Sequence, residues 1–336
     1  MYTTRAWKPV QASFFLFGPR GTGKSTWIRE TIKPAATYDL LSTSESLRLN
    51  RDPATFGKEC AVLEPGSWVV VDEVQKAPLV LDEVQRLMAD RNLHFVLSGS
   101  SARKLRRGAS NMLAGRAEVR HIFPFVSTEL DFKRGLEESL EHGMLPLAVV
   151  GSRPRAFLKS YVETYLREEV QAEALVRQIG PFARFLEAAA RMNGQVVNVS
   201  GVARDASVAR PTVQDYFQIL MDTLLAHWLP AWKLKLAVAE VRHPKLYLFD
   251  TGVTRHLAGF GHLPVRAEER GFLLETYLLH EIHAYLHYTE LEYPIFYWRT
   301  HDGAEVDFVI DTPGGIVAIE VKAAERWQSS YTAAPN

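Results

Sequence analysis

Two stretches of this sequence carry residue types at the spacing that chemistry requires. Near the start, "GPRGTGKST" (Gly18 to Thr26) fits G-x-x-x-x-G-K-[ST] between an apolar run and a candidate helix. Its glycines let backbone N–H groups curl round phosphate oxygens at a helix N-terminus, where the dipole favours anions. Phosphate contacts are therefore expected from Gly18, Pro19, Arg20, Gly21, Thr22, Gly23, Lys24, Ser25 and Thr26. Lys24 would reach the β- and γ-phosphates of ATP, and the Ser25 hydroxyl would ligate Mg2+.

The partner of such a loop follows in "WVVVDEVQK". Trp68–Val71 reads as a buried strand, and ligands of α/β sheets bind at the C-terminal ends of strands. Asp72 would hold Mg2+, and Glu73 would orient or deprotonate the attacking water. A third buried strand ends in Ser98-Gly99-Ser100, which places the Ser100 hydroxyl near the γ-phosphate. Arg103, Lys104, Arg106, Arg107 and Arg116 come next. One of these arginines, with Arg116 and Arg103 preferred, could act across a subunit interface as an arginine finger, which would require a homo-oligomer. A solvated basic loop accounts for each of these arginines equally well.

The second stretch is "AEVDFVIDTPGGIVAIEVK". Strand alternation puts Glu305, Asp307 and Val309 on one face, and Glu320 and Lys322 on one face of the next strand. An antiparallel hairpin with Thr312 to Gly315 as a four-residue loop pairs Asp311 with Ile316 and Asp307 with Glu320. Directly opposed carboxylates, with Cβ atoms about 5 Å apart, call for a cation. Oxygen ligands from both describe a Mg2+ site, with Lys322 placed to orient or activate a metal-bound water. Upstream, Glu275 lies on a helix among Phe272, Leu278, Leu279 and Ile282, where a carboxylate needs a metal or a lysine. "HEIHAYLH" (His280, Glu281, His283, His287) lacks H-E-x-x-H spacing, so a solvated helix face is preferred to zinc.

These residues need elements to position them. The 336 residues are too many for one core, and 47% hydrophobic with 23% charged is ordinary globular composition. Lys+Arg and Asp+Glu are both 39, so any nucleic-acid contact must be local. One cysteine, Cys60, excludes an internal disulfide. There is no cleavable signal and no apolar run of membrane-spanning length, so a cytoplasmic protein is expected. Apolar runs at 13–17, 68–71, 94–97 and 118–123 alternate with helical text, which implies a parallel doubly wound sheet. Residues 182–226 read as three short helices shaped like a helix-turn-helix, with Ser200 as a cap and Pro211 in the first turn of the third. Val213, Phe217, Leu220 and Leu224 form its core stripe. The free face (Arg210, Thr212, Gln214, Asp215, Gln218) has little positive charge for reading DNA, so a packing module fits as well.

The loop, "VVVDEVQK", "SGSSARKLRRGASNMLAGR" and "FPFVSTEL" resemble the bacterial and archaeal AAA+-type ATPases of the additional-strand class that carry a DUF4143 C-terminal region. That resemblance implies ATP binding and hydrolysis. The C-terminal acids and Lys322 resemble the PD-(D/E)xK nuclease core, including archaeal Holliday-junction resolvases. By that likeness Asp307 and Glu320 bind metal, Lys322 assists and Glu275 supports. The expected domains are a P-loop ATPase (1–135), a helical linker (136–180), a winged-helix-like domain (181–250) and a nuclease-like α/β domain (251–336). The nuclease core calls for a further helix and strand beyond "AAERWQSSYTAAPN", so the last domain is expected to be incomplete. Two readings follow: an ATP-driven enzyme that binds or processes DNA, or a nucleotide-dependent switch whose nuclease-like domain only binds or scaffolds.

Overall fold

The computed structural model describes residues 2–8, 10–100, 113–165, 179–232, 243–300 and 303–324. Two compact units are present: Met1–Glu129 with Asp222–Leu224, and Leu130–Met221 with Leu225–Asn336. The first unit runs β1 (Phe14–Phe17), α1 (Lys24–Thr31), β2 (Ala36–Asp39), α2 (Thr43–Arg51), α3 (Pro53–Ala61), β3 (Trp68–Asp72), α4 (Val80–Arg91), β4 (His94–Gly99) and β5 (Glu118–His121). The strands form one sheet of order β2-β3-β4-β1-β5, and every neighbouring pair is parallel. β4 thus lies between the loop-bearing β1 and the acid-bearing β3.

The physical reason for this sheet is in its strands. β1 is buried at all four positions, and β3 and β4 are apolar along most of their length, as strands covered on both faces must be. Phe15, Phe17, Val69, Val71, Phe95 and Leu97 pack into one core with Phe56, Val84 and Leu87 from the helices. Trp27 of α1 stacks on Trp7 at 4.3 Å, which ties the N-terminal segment to the helix behind the loop. β2 was not expected, because "ATYD" is half-exposed and has no apolar run.

The second unit contains α5 (Leu136–His142), α6 (Pro146–Val150), α7 (Pro154–Ser160), α8 (Ile179–Arg191), β6 (Gln195–Val196), α9 (Val199–Ala206), α10 (Arg210–Asp222), β7 (Ala226–Leu229), β8 (Lys245–Leu248), α11 (Thr251–Leu257), α12 (Ala267–Tyr288), β9 (Ile295–Arg299), β10 (Glu305–Thr312) and β11 (Gly315–Ile319). Its two antiparallel sheets have the orders β6-β8-β7 and β11-β10-β9. The helices α8 to α10 fall where three short helices were expected. The cap of α9 is Asn198, not Ser200: its Oδ1 accepts from Gly201 N at 3.0 Å, because the helix begins at Val199, two residues before a Ser200 cap would start it. Val213, Phe217 and Leu220 are buried as the stripe required, whereas Leu224 lies beyond the helix end and is half-buried.

The β10–β11 register is Asp311 with Ile316, as alternation implies. Thr312 also pairs with Gly315, so the loop is Pro313-Gly314 and shorter than the four residues expected. The ladder ends at Phe308–Ile319, one pair short of Asp307–Glu320.

Candidate active site

In the first unit the loop after β1 is built by backbone conformation. Gly21 and Gly23 hold φ of 83° and 91°, the left-handed region that side chains resist, and Gly23 leads directly into α1. Lys24 is buried, and its Nζ donates to Gly18 O at 2.6 Å and Pro19 O at 3.2 Å. Thr22 Oγ1 donates to Pro19 O at 2.8 Å and closes the turn. Arg5 braces the loop from behind, donating to Thr22 O at 3.2 Å and pairing with Glu129 at 3.0 Å.

Ser25 Oγ donates to Asp72 Oδ2 at 2.7 Å, so the first turn of α1 meets the end of β3. The other Asp72 oxygen accepts from Ser98 Oγ at the end of β4. Glu73 follows with φ 57°, a left-handed backbone that costs a non-glycine residue about 1–3 kcal/mol and is typical of functional turns. Its carboxylate accepts from Gln75 Nε2. Gln75 is buried against Gly99, where an added Cβ would come within 2.4 Å of Gln75 Oε1. Loop, acid pair and strand end therefore converge.

Ser100 is buried one residue beyond β4, whereas the hydroxyl that touches the acid pair is Ser98. Arg116 is exposed in the turn before β5. Arg103, Lys104, Arg106 and Arg107 lie outside the described residues. Arg20 is half-buried, Thr26 is exposed, and Pro19 is buried. Ser98 and Gln75 were missed: the apolar text suggested that β4 ends at Leu97, and Gln75 carries no motif of its own. These groups fit a nucleotide and its metal. The glycines shape an anion cradle, Lys24 holds a charge that the loop carbonyls satisfy, and Ser25 with Asp72 offers two oxygens side by side.

In the second unit two of the predicted acids, Glu275 and Asp307, come together with Glu305 round an unexpected lysine, and Glu320 does not join them. Lys245 on β8 is 3% exposed. Its Nζ lies 2.6 Å from Glu305 Oε1, 3.4 Å from Glu275 Oε2 and 3.8 Å from Asp307 Oδ1. Tyr247, two residues on, donates its hydroxyl to Glu275 Oε2 at 2.5 Å. Asp307 Oδ2 accepts from Val321 N at 2.8 Å, and Arg299 reaches Glu305 at 3.6 Å. Glu320 and Lys322 pair with each other at the exposed end, past β11.

Burial pushes the Glu275 and Asp307 carboxyls above their usual range, although Lys245 opposes the shift. Burial alone would lower the Lys245 ammonium, but Glu275, Glu305 and Asp307 outweigh it and hold its pKa above the ordinary value. Among the described residues no group of three or more His, Cys, Asp and Glu is arranged to hold a metal ion. The signal for Lys245 was in "KLYLF": a strand-like run whose first and third residues, on one face, are polar.

Two expectations for α12 change. Phe272 is 38% exposed and lies off the core stripe, while Leu279 is buried. His280 is buried and His283 stacks on His227 of β7 at 4.8 Å, so only His287 keeps the solvated face that was preferred. The helix is long enough for its histidine edge to pass under β7. No helix among the described residues is long and apolar enough to cross a membrane.

Comparison with known proteins agrees with this division. The AAA domain family matches residues 11–130, a domain of unknown function (DUF8612) matches 133–263, and another (DUF4143) matches 270–334. Uncharacterized proteins of Mycobacterium tuberculosis and Mycobacterium bovis are 27% identical over 316 residues, covering 91% of this chain and 69% of theirs. Variants of RuvB from Thermotoga maritima superpose with TM-scores of 0.32 and 0.31 at 16% and 14% identity, over 65% of this chain and 82% of theirs. A likeness that low carries no argument. Residues 11–130 thus match the AAA domain family, and the glycine loop with the Ser25–Asp72 contact supports a P-loop nucleotide-binding domain there.

Proposed function

We propose that this chain is a Mg2+-dependent ATP hydrolase whose nucleotide cycle acts on DNA. The observation that carries the hydrolase is the Ser25–Asp72 hydrogen bond with Glu73 next in the chain. Residues Gly18 to Thr26 would hold the phosphates, and Lys24 would exchange the Gly18 and Pro19 carbonyls for them. Mg2+ held by Ser25 and Asp72 would neutralise charge between the outer phosphates. Glu73 would take the proton of the attacking water. Ser100 and one arginine, Arg116 or Arg103, would face the γ-phosphate, the arginine supplied by a second copy.

DNA enters through the second unit. The element order α8-β6-α9-α10-β7-β8, with sheet order β6-β8-β7, supports a winged helix in which α10 would read the groove. Arg210, Gln214 and Gln218 are exposed on α10. With one positive charge among the three, phosphate contacts would be few and affinity modest.

For residues 251–336 two readings stand. In one, Asp307, Glu320 and Glu275 bind metal and Lys322 assists cleavage. In the other, the nuclease-like domain is a binding or scaffolding module of a nucleotide-dependent switch. The Lys245 ammonium among Glu275, Glu305 and Asp307 favours the second. Two measurements test the proposal: phosphate release from Mg-ATP with and without DNA, and cleavage of linear and branched DNA. DNA-stimulated release supports the first reading's coupling, and release that is blind to DNA removes it. Mg2+-dependent cleavage that Asp307→Asn abolishes would overturn the switch reading.

A further inference from the structure

We propose that Lys245 is the resident cation of the Glu275–Glu305–Asp307 cluster, and that this site takes no divalent metal while the ammonium is in place. The inference rests on the switch reading of residues 251–336 and is independent of ATP hydrolysis.

Consider what each acid already holds. Glu305 has Lys245 at 2.6 Å and Arg299 at 3.6 Å. Glu275 accepts from Tyr247 Oη and faces Lys245. Asp307 accepts from a backbone N–H through one oxygen and faces Lys245 with the other. Glu320, an expected ligand of the metal site, is turned to Lys322 at the exposed end of the hairpin. Every carboxylate is thus met by a donor from the chain itself.

Mg2+ requires near-octahedral oxygen ligation at about 2.1 Å and gives up water reluctantly. The point on which the three acids converge is filled by a nitrogen that carries the charge a metal would supply. A divalent ion beside it would meet a buried like charge with little solvent to screen it. The lysine also does something a metal could not. It belongs to β8 of one sheet, whereas its partners belong to β10 of the other sheet and to α12. The ion cluster therefore joins β8 to the hairpin, and the Tyr297 ring 5.4 Å from Nζ closes that side. Removing the lysine alone would leave three mutually repelling carboxylates in a poorly solvated place, which is a site for a divalent ion.

The experiment uses the full-length chain, free of nucleotide, in an Asp72→Asn background that removes the phosphate-loop metal ligand. Mn2+ binding is read by electron paramagnetic resonance and by the melting temperature. The parent is expected to bind no Mn2+ through Asp307. Lys245→Ala should bind one ion at least about tenfold more tightly than the parent. Its melting temperature should fall and be raised again by Mn2+, but not when Asp307→Asn is added. Lys245→Arg keeps a cation and should behave as the parent. Mn2+ binding by the parent that Asp307→Asn abolishes overturns the proposal, whether or not any Lys245 variant folds. A Lys245→Ala protein that folds and binds no Mn2+, or that Mn2+ does not rescue, overturns it as well. DNA cleavage is a separate readout, so failure of the switch reading and failure of this inference are distinguishable.

Discussion

Ser25 Oγ donates to Asp72 Oδ2 at 2.7 Å, which brings residues 47 positions apart into direct contact. The contact exists because β1 and β3 are parallel neighbours of β4, so their C-terminal ends open on the same edge of the sheet. Removing either oxygen should therefore do the same damage. Ser25→Ala and Asp72→Asn should each raise the Mg2+ concentration needed for turnover, and the double variant should be no worse than the weaker single one. Additive losses in a double-mutant cycle would mean that the two residues serve separate ligands.

Lys24 has its charge satisfied by two loop carbonyls, and these are weaker partners than phosphate oxygens. Hydrogen bonds to charged groups contribute about 1.5–3 kcal/mol, so Lys24→Ala should lower nucleotide affinity about 10- to 100-fold. Fluorescent-nucleotide titration measures this, with the melting temperature as a check that the loop still folds. Unchanged affinity would remove Lys24 from the phosphate site.

Gln75 acts through Glu73, not on substrate. Its amide N–H fixes the Glu73 carboxylate, and its own position is set by Gly99. Gln75→Leu should lower kcat with KM for ATP little changed, because the carboxylate loses the donor that orients it. Gly99→Ala, which would put a Cβ 2.4 Å from Gln75 Oε1, should reproduce part of that effect. A change in KM alone would assign Gln75 to binding.

His227 gives the second unit a pH dependence. Burial, helped by the nearby charges of His280 and His287, lowers its pKa from 6.5 to about 4. The unfolded chain therefore binds more protons between those values, and stability is lost as pH falls from about 6.5 towards 4. The loss is at most about 3 kcal/mol and less where its partly exposed edge is solvated. Glu275 and Asp307, which are raised, slope the other way above their ordinary values. Comparing wild type with His227→Gln isolates the histidine: the variant should lose less stability between pH 7 and pH 5 in urea unfolding. Equal losses would assign the titration to a group other than His227.

The parts legible in the sequence were those with local signals. The phosphate loop, the acid pair ending β3 and the β10–β11 register follow from glycine spacing, apolar runs and strand alternation. Asp311 falls opposite Ile316 as counted. The parts missed depend on distant partners. Lys245 finds Glu275 and Glu305 from 30 and 60 positions away, and nothing in "KLYLF" says which acids its ammonium will meet. Ser98, not Ser100, reaches Asp72 because β4 extends two residues past its apolar text. β2 escaped because an edge strand with one buried residue leaves no hydrophobic pattern.

The most direct test of the central claim is steady-state phosphate release from Mg-ATP by Glu73→Gln beside wild type, with nucleotide affinity measured on the same samples. Loss of a positioned general base costs roughly 100- to 10,000-fold. The account predicts that turnover falls by about that factor while affinity for ATP is retained. Turnover at the wild-type rate in Glu73→Gln would contradict it.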